Sequence, residues 1–190
     1  MTAPLVVILD ACVLFPMPLC DTLLRIAEAE LFRPHFSQAI LDETTRNLVK
    51  KGKMTEAKAA RYQEAISKAF PEAIVEVPEQ LIELMTNHPK DRHVVAAGIV
   101  AKADIIVTDN LKDFPPETLE PYGIAAQHPD EFLLDLCDRY TVSVLAQIIQ
   151  EQAADLKNPS QTPKEVLGKL AQQVPTFAHL LEKAIADRDC

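Results

Sequence analysis

The chain opens on Leu5-Val6-Val7-Ile8-Leu9, an unbroken apolar run, rich in β-branched residues, that stops at Asp10. A run without polar alternation reads as a strand covered on both faces, and such strands belong to parallel sheets flanked by helices. Ile105-Ile106-Val107 has the same character and is followed directly by Thr108 and Asp109. An acid closing a doubly buried strand is costly without a partner. Asp10 therefore constrains fold and chemistry together.

The intervening stretches carry helix signals. Pro16 and Pro18 lead into an apolar-periodic segment over about 19–30, and Ser37 is a good N-cap for a helix running to Lys51, with Gly52 as its stop. Further helices are read over roughly 54–69, 79–85 and 91–102, with short strands at 73–77 and near Ile124 and a helix from about Pro129. Strands alternating with helices predict an α/β domain with a parallel sheet. From about residue 139 the pattern is purely helical, with Leu145, Ile148 and Ile149 on one face and Val166, Leu167 and Leu170 on another. The expected division is a domain over 1–135 and an all-helical appendage over 136–190.

Composition removes several function classes. The four glycines (Gly52, Gly98, Gly123, Gly168) cannot write G-x-G-x-x-G or a Walker loop. Aromatic residues make up 5% with no Trp, which argues against a base-stacking platform. Cys12, Cys20, Cys137 and Cys190 are scattered without C-x-x-C, against structural zinc and against a disulfide framework. No apolar run is long enough for a signal h-region or a membrane span, so a cytoplasmic protein is expected.

The formal net charge of −9 repels nucleic acid on average, but the charge is uneven. Residues 61–134 hold thirteen acids against six bases. Ligand sites in open parallel sheets form beyond the carboxyl ends of strands. Asp10 follows the first buried strand, and Thr108, Asp109, Asn110 and Asp113 follow the second. Asp91 opens the helix feeding that second strand, and Glu43 lies one turn inside the helix capped by Ser37. If the strands are neighbours, these carboxylates converge on one rim. Two carboxylates about 4 Å apart repel by about 4 kcal/mol at an effective dielectric near 20, so three or four need a cation. A hard oxygen site for Mg²⁺ or Mn²⁺ relieves the repulsion and activates water for phosphodiester attack. Taken singly, Asp91 reads equally as a helix-terminal charge, Asp109 and Asp113 as turn residues and Glu43 as a solvated helix residue.

Val-Ile-Leu-Asp10-Ala-Cys-Val-Leu resembles the opening motif of PIN domains, the nuclease fold of many toxins of bacterial toxin–antitoxin pairs. Ser37-Gln-Ala-Ile-Leu-Asp-Glu43 resembles the second motif, Asp91-Arg-His-Val-Val-Ala-Ala the third and Ile-Val-Thr108-Asp-Asn-Leu-Lys-Asp113-Phe the fourth, in family order. The resemblance covers residues 5 to about 126 and implies a small parallel sheet flanked by helices and Mg²⁺- or Mn²⁺-dependent cleavage of RNA. It makes Asp10, Glu43 and Asp91 the metal-binding acids. Many members carry Asp two residues after the Thr, where this chain has Asn110. Asp113 is the favoured fourth acid, with Asp109 in reserve. Cys12 replaces the usual Asn, Ser or Thr, and a thiol is the poorer hydrogen-bonding group. The resemblance also implies an RNA substrate, a protein antitoxin and a possible homodimer.

Arg46, Lys50, Lys51, Lys53, Lys58 and Arg61 lie close together with one acid, Glu56, a local charge of +5 that could hold RNA phosphates beside the Glu43 helix. The alternative is a solvated helix–turn–helix surface. His93 is read as structural and Arg92 as the partner of a neighbouring carboxylate, while His35, His88, His128 and His179 show no ligand spacing. Two rival functions remain. One is a decayed PIN-like module that binds RNA or protein. The other is a phosphohydrolase with Asp10 as nucleophile, disfavoured because Cys12 stands where such enzymes usually place a second Asp.

Overall fold

The computed structural model describes residues 3–187. In chain order the elements are β1 (Leu5–Leu9), α1 (Ala11–Leu14), α2 (Met17–Glu28), β2 (Phe32–Ser37), α3 (Gln38–Lys50), α4 (Glu56–Ala69), β3 (Ile74–Val75) and α5 (Glu79–Leu84). There follow α6 (Arg92–Ala101), β4 (Ile105–Val107), α7 (Pro116–Leu119), β5 (Ala125–Gln127), α8 (Pro129–Tyr140), α9 (Val142–Asp155), α10 (Pro163–Leu170) and α11 (Pro175–Ala186). Single 3₁₀ turns at Pro89–Asp91 and Leu111–Asp113 lead into α6 and follow β4.

The chain forms two compact units. One is the chain up to Phe15 together with Phe32–Gln127, and the other is Pro16–Leu31 together with the chain from His128. In the first unit a five-stranded sheet runs in the order β3-β2-β1-β4-β5, every pairing parallel. The α/β architecture expected from the two apolar runs is therefore present. Val7, Ile8 and Leu9 are fully buried, as are Ile106 and Val107, which agrees with strands covered on both faces. Helix α6 packs closely because Gly98 lacks a side chain: a Cβ there would meet Ile124 Cδ1 at 3.1 Å.

The strand order matters for function. The chain steps from β1 to β2 and β3 on one side, then crosses to β4 and β5 on the other. The topology reverses between β1 and β4, and a crevice opens beyond the carboxyl ends of strands at such a point. Asp10 and Thr108 are the residues that leave these two strands.

Strand β2 has no counterpart in the sequence reading. Its sequence Phe-Arg-Pro-His-Phe-Ser contains a proline, which normally argues against an interior strand. Here Pro34 lies beside Val7 in the parallel register, and the burial of Phe32, Pro34 and Phe36 supplies the alternation that holds the strand in place.

The second unit is helical. Leu19, Leu23 and Ile26 of α2, Phe132 and Leu136 of α8, Leu145 and Ile149 of α9 and Phe177 and Leu181 of α11 are buried. Thr22 donates a buried hydrogen bond of 2.8 Å to the Gln152 side-chain oxygen. Helix α11 lacks a cap from its own N-cap residue Val174. Asp130 of α8 takes that role, accepting the amides of Thr176 at 3.1 Å and Phe177 at 2.8 Å. Among the described residues no helix is long and apolar enough to cross a membrane.

Candidate metal centre

Asp10 ends β1 and caps α1, and only 5% of its surface is exposed. Its Oδ1 accepts the Ala11 amide at 2.7 Å, and its Oδ2 accepts the Thr108 hydroxyl at 2.8 Å and the Cys12 thiol at 3.2 Å. Burial pushes the Asp10 carboxyl above the ordinary carboxylate range, the donors from Thr108, Cys12 and Ala11 oppose that rise, and the charge of Glu43 adds to it. The position thus has the partners that a buried acid requires.

Cys12 belongs to the same network, with Sγ 3.3 Å from Thr108 Oγ1 and accepting the Asp109 amide at 3.4 Å. Burial and the neighbouring Asp10 charge raise its pKa far above that of a free thiol. It stays protonated and serves as a donor to Asp10. Thr108, fully buried, also accepts the Asn110 amide at 3.1 Å, shaping the turn after β4.

Asp91 closes the 3₁₀ turn and stands at the N-cap of α6, yet its side chain makes no capping hydrogen bond. Its carboxyl is pushed up to about 6, chiefly by burial and then by the charges of Asp10, Asp113 and Glu43, against a lowering contribution from His88. Four carboxylates from four separate segments are therefore close enough to feel one another. Glu43 lies on α3, its Oε2 3.4 Å from His93 Nε2. His93 Nδ1 is buried without a hydrogen-bond partner, so this imidazole meets the acidic rim only through Nε2.

Asp113 closes the 3₁₀ turn after β4, where its Oδ2 accepts the Asn110 side-chain amide. Asp109 is exposed, whereas the charge of Asp113 is among those that raise the Asp91 carboxyl. Arg92, expected to pair with a nearby acid, has its Nε buried with no hydrogen-bond partner. His88 shows no ligand spacing in the sequence, but its Nδ1 comes within 3.5 Å of Asp91 Oδ2. Among the described residues, ligand atoms of His88, Asp91 and Asp113 lie within 4.8 Å of one another. The i, i+3 relation of His88 to Asp91 is the available signal, and only the folding of the Pro89 turn gives it meaning.

Arg46, Lys50, Lys51, Lys53, Lys58 and Arg61 are all exposed. A groove of about 560 Å³ runs between α3 and α4, lined by Arg46 and Lys50 but also by Asp42, Glu56 and apolar Val49 and Ala59. Lys50 is two turns beyond Glu43 on the same helical face, about 10 Å along the axis.

The model of the family described as PIN domain matches residues 6–112, more than half of the 190-residue chain, and these include Asp10, Glu43 and Asp91. The chain belongs to the PIN-domain family. A second model, VapC50 C-terminal domain, matches residues 129–183 of the helical unit that accompanies this PIN domain. The chain is also similar to VapC50 of Mycobacterium tuberculosis, a protein whose name marks it as a candidate ribonuclease, with 49% identity over 98 residues. That similarity covers 52% of this chain and 57% of the relative's length. No solved structure matches the chain.

Proposed function

We propose that the protein is a divalent-metal-dependent endoribonuclease, the toxin of a toxin–antitoxin pair, with Asp10, Glu43, Asp91 and Asp113 as its metal-binding and catalytic acids. The observation that carries this reading is the convergence of four carboxylates at the β1/β4 switch point of a PIN domain, where burial first, and then the charges of Asp10, Asp113 and Glu43, push the Asp91 carboxyl up to about 6. The charges of Asp10, Asp113 and Glu43 all act to raise the Asp91 carboxyl, so a bound cation is the natural counter-charge. The donor set fits hard divalent ions, which take carboxylate oxygens and water. A bound Mg²⁺ or Mn²⁺ would polarise the scissile phosphodiester and make an attacking water more acidic.

The protein's own groups prepare this chemistry. The Ala11 amide, the Thr108 hydroxyl and the Cys12 thiol fix both oxygens of Asp10 and favour its ionised form. Cys12 thus takes the part of the hydroxyl or amide common at its position, which supports an active enzyme over a decayed module. Asp113 stays the favoured fourth acid in this reading, with Asp109 in reserve, because the Asp113 charge is among those that raise Asp91. The exposed bases Arg46, Lys50, Lys51, Lys53 and Arg61 would hold RNA phosphates leading away from Glu43. An antitoxin chain would inhibit by covering the acidic rim, and a homodimer is compatible with this reading.

The test is incubation of purified protein with structured and unstructured RNAs in Mn²⁺, Mg²⁺ or EDTA, beside Asp10→Asn. Metal-dependent cleavage by the wild type alone is the expected result. RNA binding without cleavage under any condition would favour the decayed module. Hydrolysis of a generic phosphomonoester that disappears in Asp10→Asn would favour the aspartate-nucleophile enzyme.

A further inference from the structure

His88 lies outside the four-acid set, yet the fold presents it as a ligand. The Asp113 carbonyl accepts the His88 amide and the Asn87 side-chain amide, both at 3.4 Å. Asn87 is only 3% exposed, and the Asp91 amide in turn donates to the His88 carbonyl at 2.9 Å. These bonds tie the turn before α6 to the turn after β4. They bring one imidazole and two carboxylates together from three backbone positions, with ligand atoms within 4.8 Å of one another. Donors around a single ion, each about 2.0–2.3 Å from the metal, lie at most about 4.6 Å apart, so a small side-chain adjustment brings these three onto one ion. The His88 ring is 43% exposed on its side chain, so solvent and substrate can reach this end of the rim.

We propose that His88, Asp91 and Asp113 form a mixed nitrogen–oxygen site for a first-row transition-metal ion, and that His88 gives the centre a preference for Mn²⁺ over Mg²⁺. The inference rests on the reading of the acidic rim as a divalent-metal site. Carboxylate and water oxygens serve Mg²⁺ and Mn²⁺ alike. An imidazole nitrogen favours the later first-row ions most and Mn²⁺ least among them, but Mn²⁺ still gains more from it than Mg²⁺, which keeps to oxygen donors. A rim built from carboxylates alone would discriminate weakly. The nitrogen donor creates the bias.

The experiment measures metal binding directly, without RNA. Free Mn²⁺ is counted by electron paramagnetic resonance during titration of the full chain, and Mg²⁺ affinity is obtained by competition, for wild type, His88→Ala, His88→Asp and Asp91→Asn. Circular dichroism confirms that each variant is folded. His88→Ala should lose about tenfold or more in Mn²⁺ affinity while Mg²⁺ changes by less than about twofold. His88→Asp should narrow the Mn²⁺/Mg²⁺ ratio, and Asp91→Asn should weaken both ions. Equal losses for the two ions in His88→Ala, or no loss, would overturn the role of His88 and leave the acidic rim standing. No binding by the wild type, or undiminished binding by a folded Asp91→Asn, would overturn the metal reading of the rim and this inference with it.

Discussion

At Asp91 electrostatics and stability are tied to one proton. Its folded pKa of about 6 lies above the ordinary 3.8, so between these values the native state binds the proton more tightly than the unfolded chain does. Metal-free protein should therefore lose stability as pH rises from about 4 to 6. Asp91→Asn should remove that dependence and raise stability near pH 7 by roughly 1 kcal/mol, the full shift being discounted for partial solvent screening. Thermal melts of the two proteins with EDTA across this range check the prediction, and a divalent ion should abolish the difference. A melting temperature of Asp91→Asn at or below that of wild type at pH 7 would contradict it. Thr108→Val should cost about 1–3 kcal/mol, because it leaves Asp10 Oδ2 short of a donor in a buried site; chemical denaturation measures this directly. Asp10 was legible in the sequence since few roles exist for an acid that ends a doubly buried strand. His88 was not, because its approach to Asp91 and Asp113 depends on a turn held by the Asp113 carbonyl, which no local pattern announces.

Among the elements, the apolar runs of β1 and β4 announced themselves, and their adjacency brings Asp10 and Thr108 within hydrogen-bonding distance. Ser37 caps α3 as its residue type predicts, accepting the Ile40 amide at 3.3 Å, and Gly52 adopts a φ of +66° just beyond the helix. Strand β2 escaped detection because Pro34 and Arg33 mask a pattern that is evident only once Phe32 and Phe36 are seen to be buried. Two helices carry element-level predictions. Replacing Lys50, Lys51 and Lys53 near the end of α3 by Ala should weaken RNA binding and reduce its log–log salt slope by about 2, since each phosphate neutralised on a single strand adds roughly 0.7 to that slope. An unchanged slope in filter-binding titrations would show that this surface is merely solvated. Asp130→Ala removes the acceptor for two amides at the start of α11 and should destabilise the helical unit by about 0.5–2 kcal/mol, readable by denaturant melts.

For the whole molecule, the parallel sheet places the ends of β1 and β4 together, and two further segments bring Glu43 and Asp91 to the same place. The four-motif order along the chain made this convergence readable, since Asp10 follows a strand, Glu43 lies within a helix and Asp91 opens one, all elements whose type is clear. The grouping of residues 16–31 with the C-terminal helices was not readable, because the apolar face of α2 has the same pattern whichever unit buries it. If the four carboxylates act as one metal-dependent site, each must matter to cleavage and their exposed neighbour must not. The deciding quantity is the rate of RNA cleavage in Mn²⁺ by wild type, Asp10→Asn, Glu43→Gln, Asp91→Asn, Asp113→Asn and Asp109→Asn, each shown to be folded. Losses of about 10²-fold or more are expected for the first four variants, and a change within a few-fold for Asp109→Asn. Loss of cleavage in Asp109→Asn with Asp113→Asn near wild type, or full activity in a folded Asp10→Asn, would contradict this assignment.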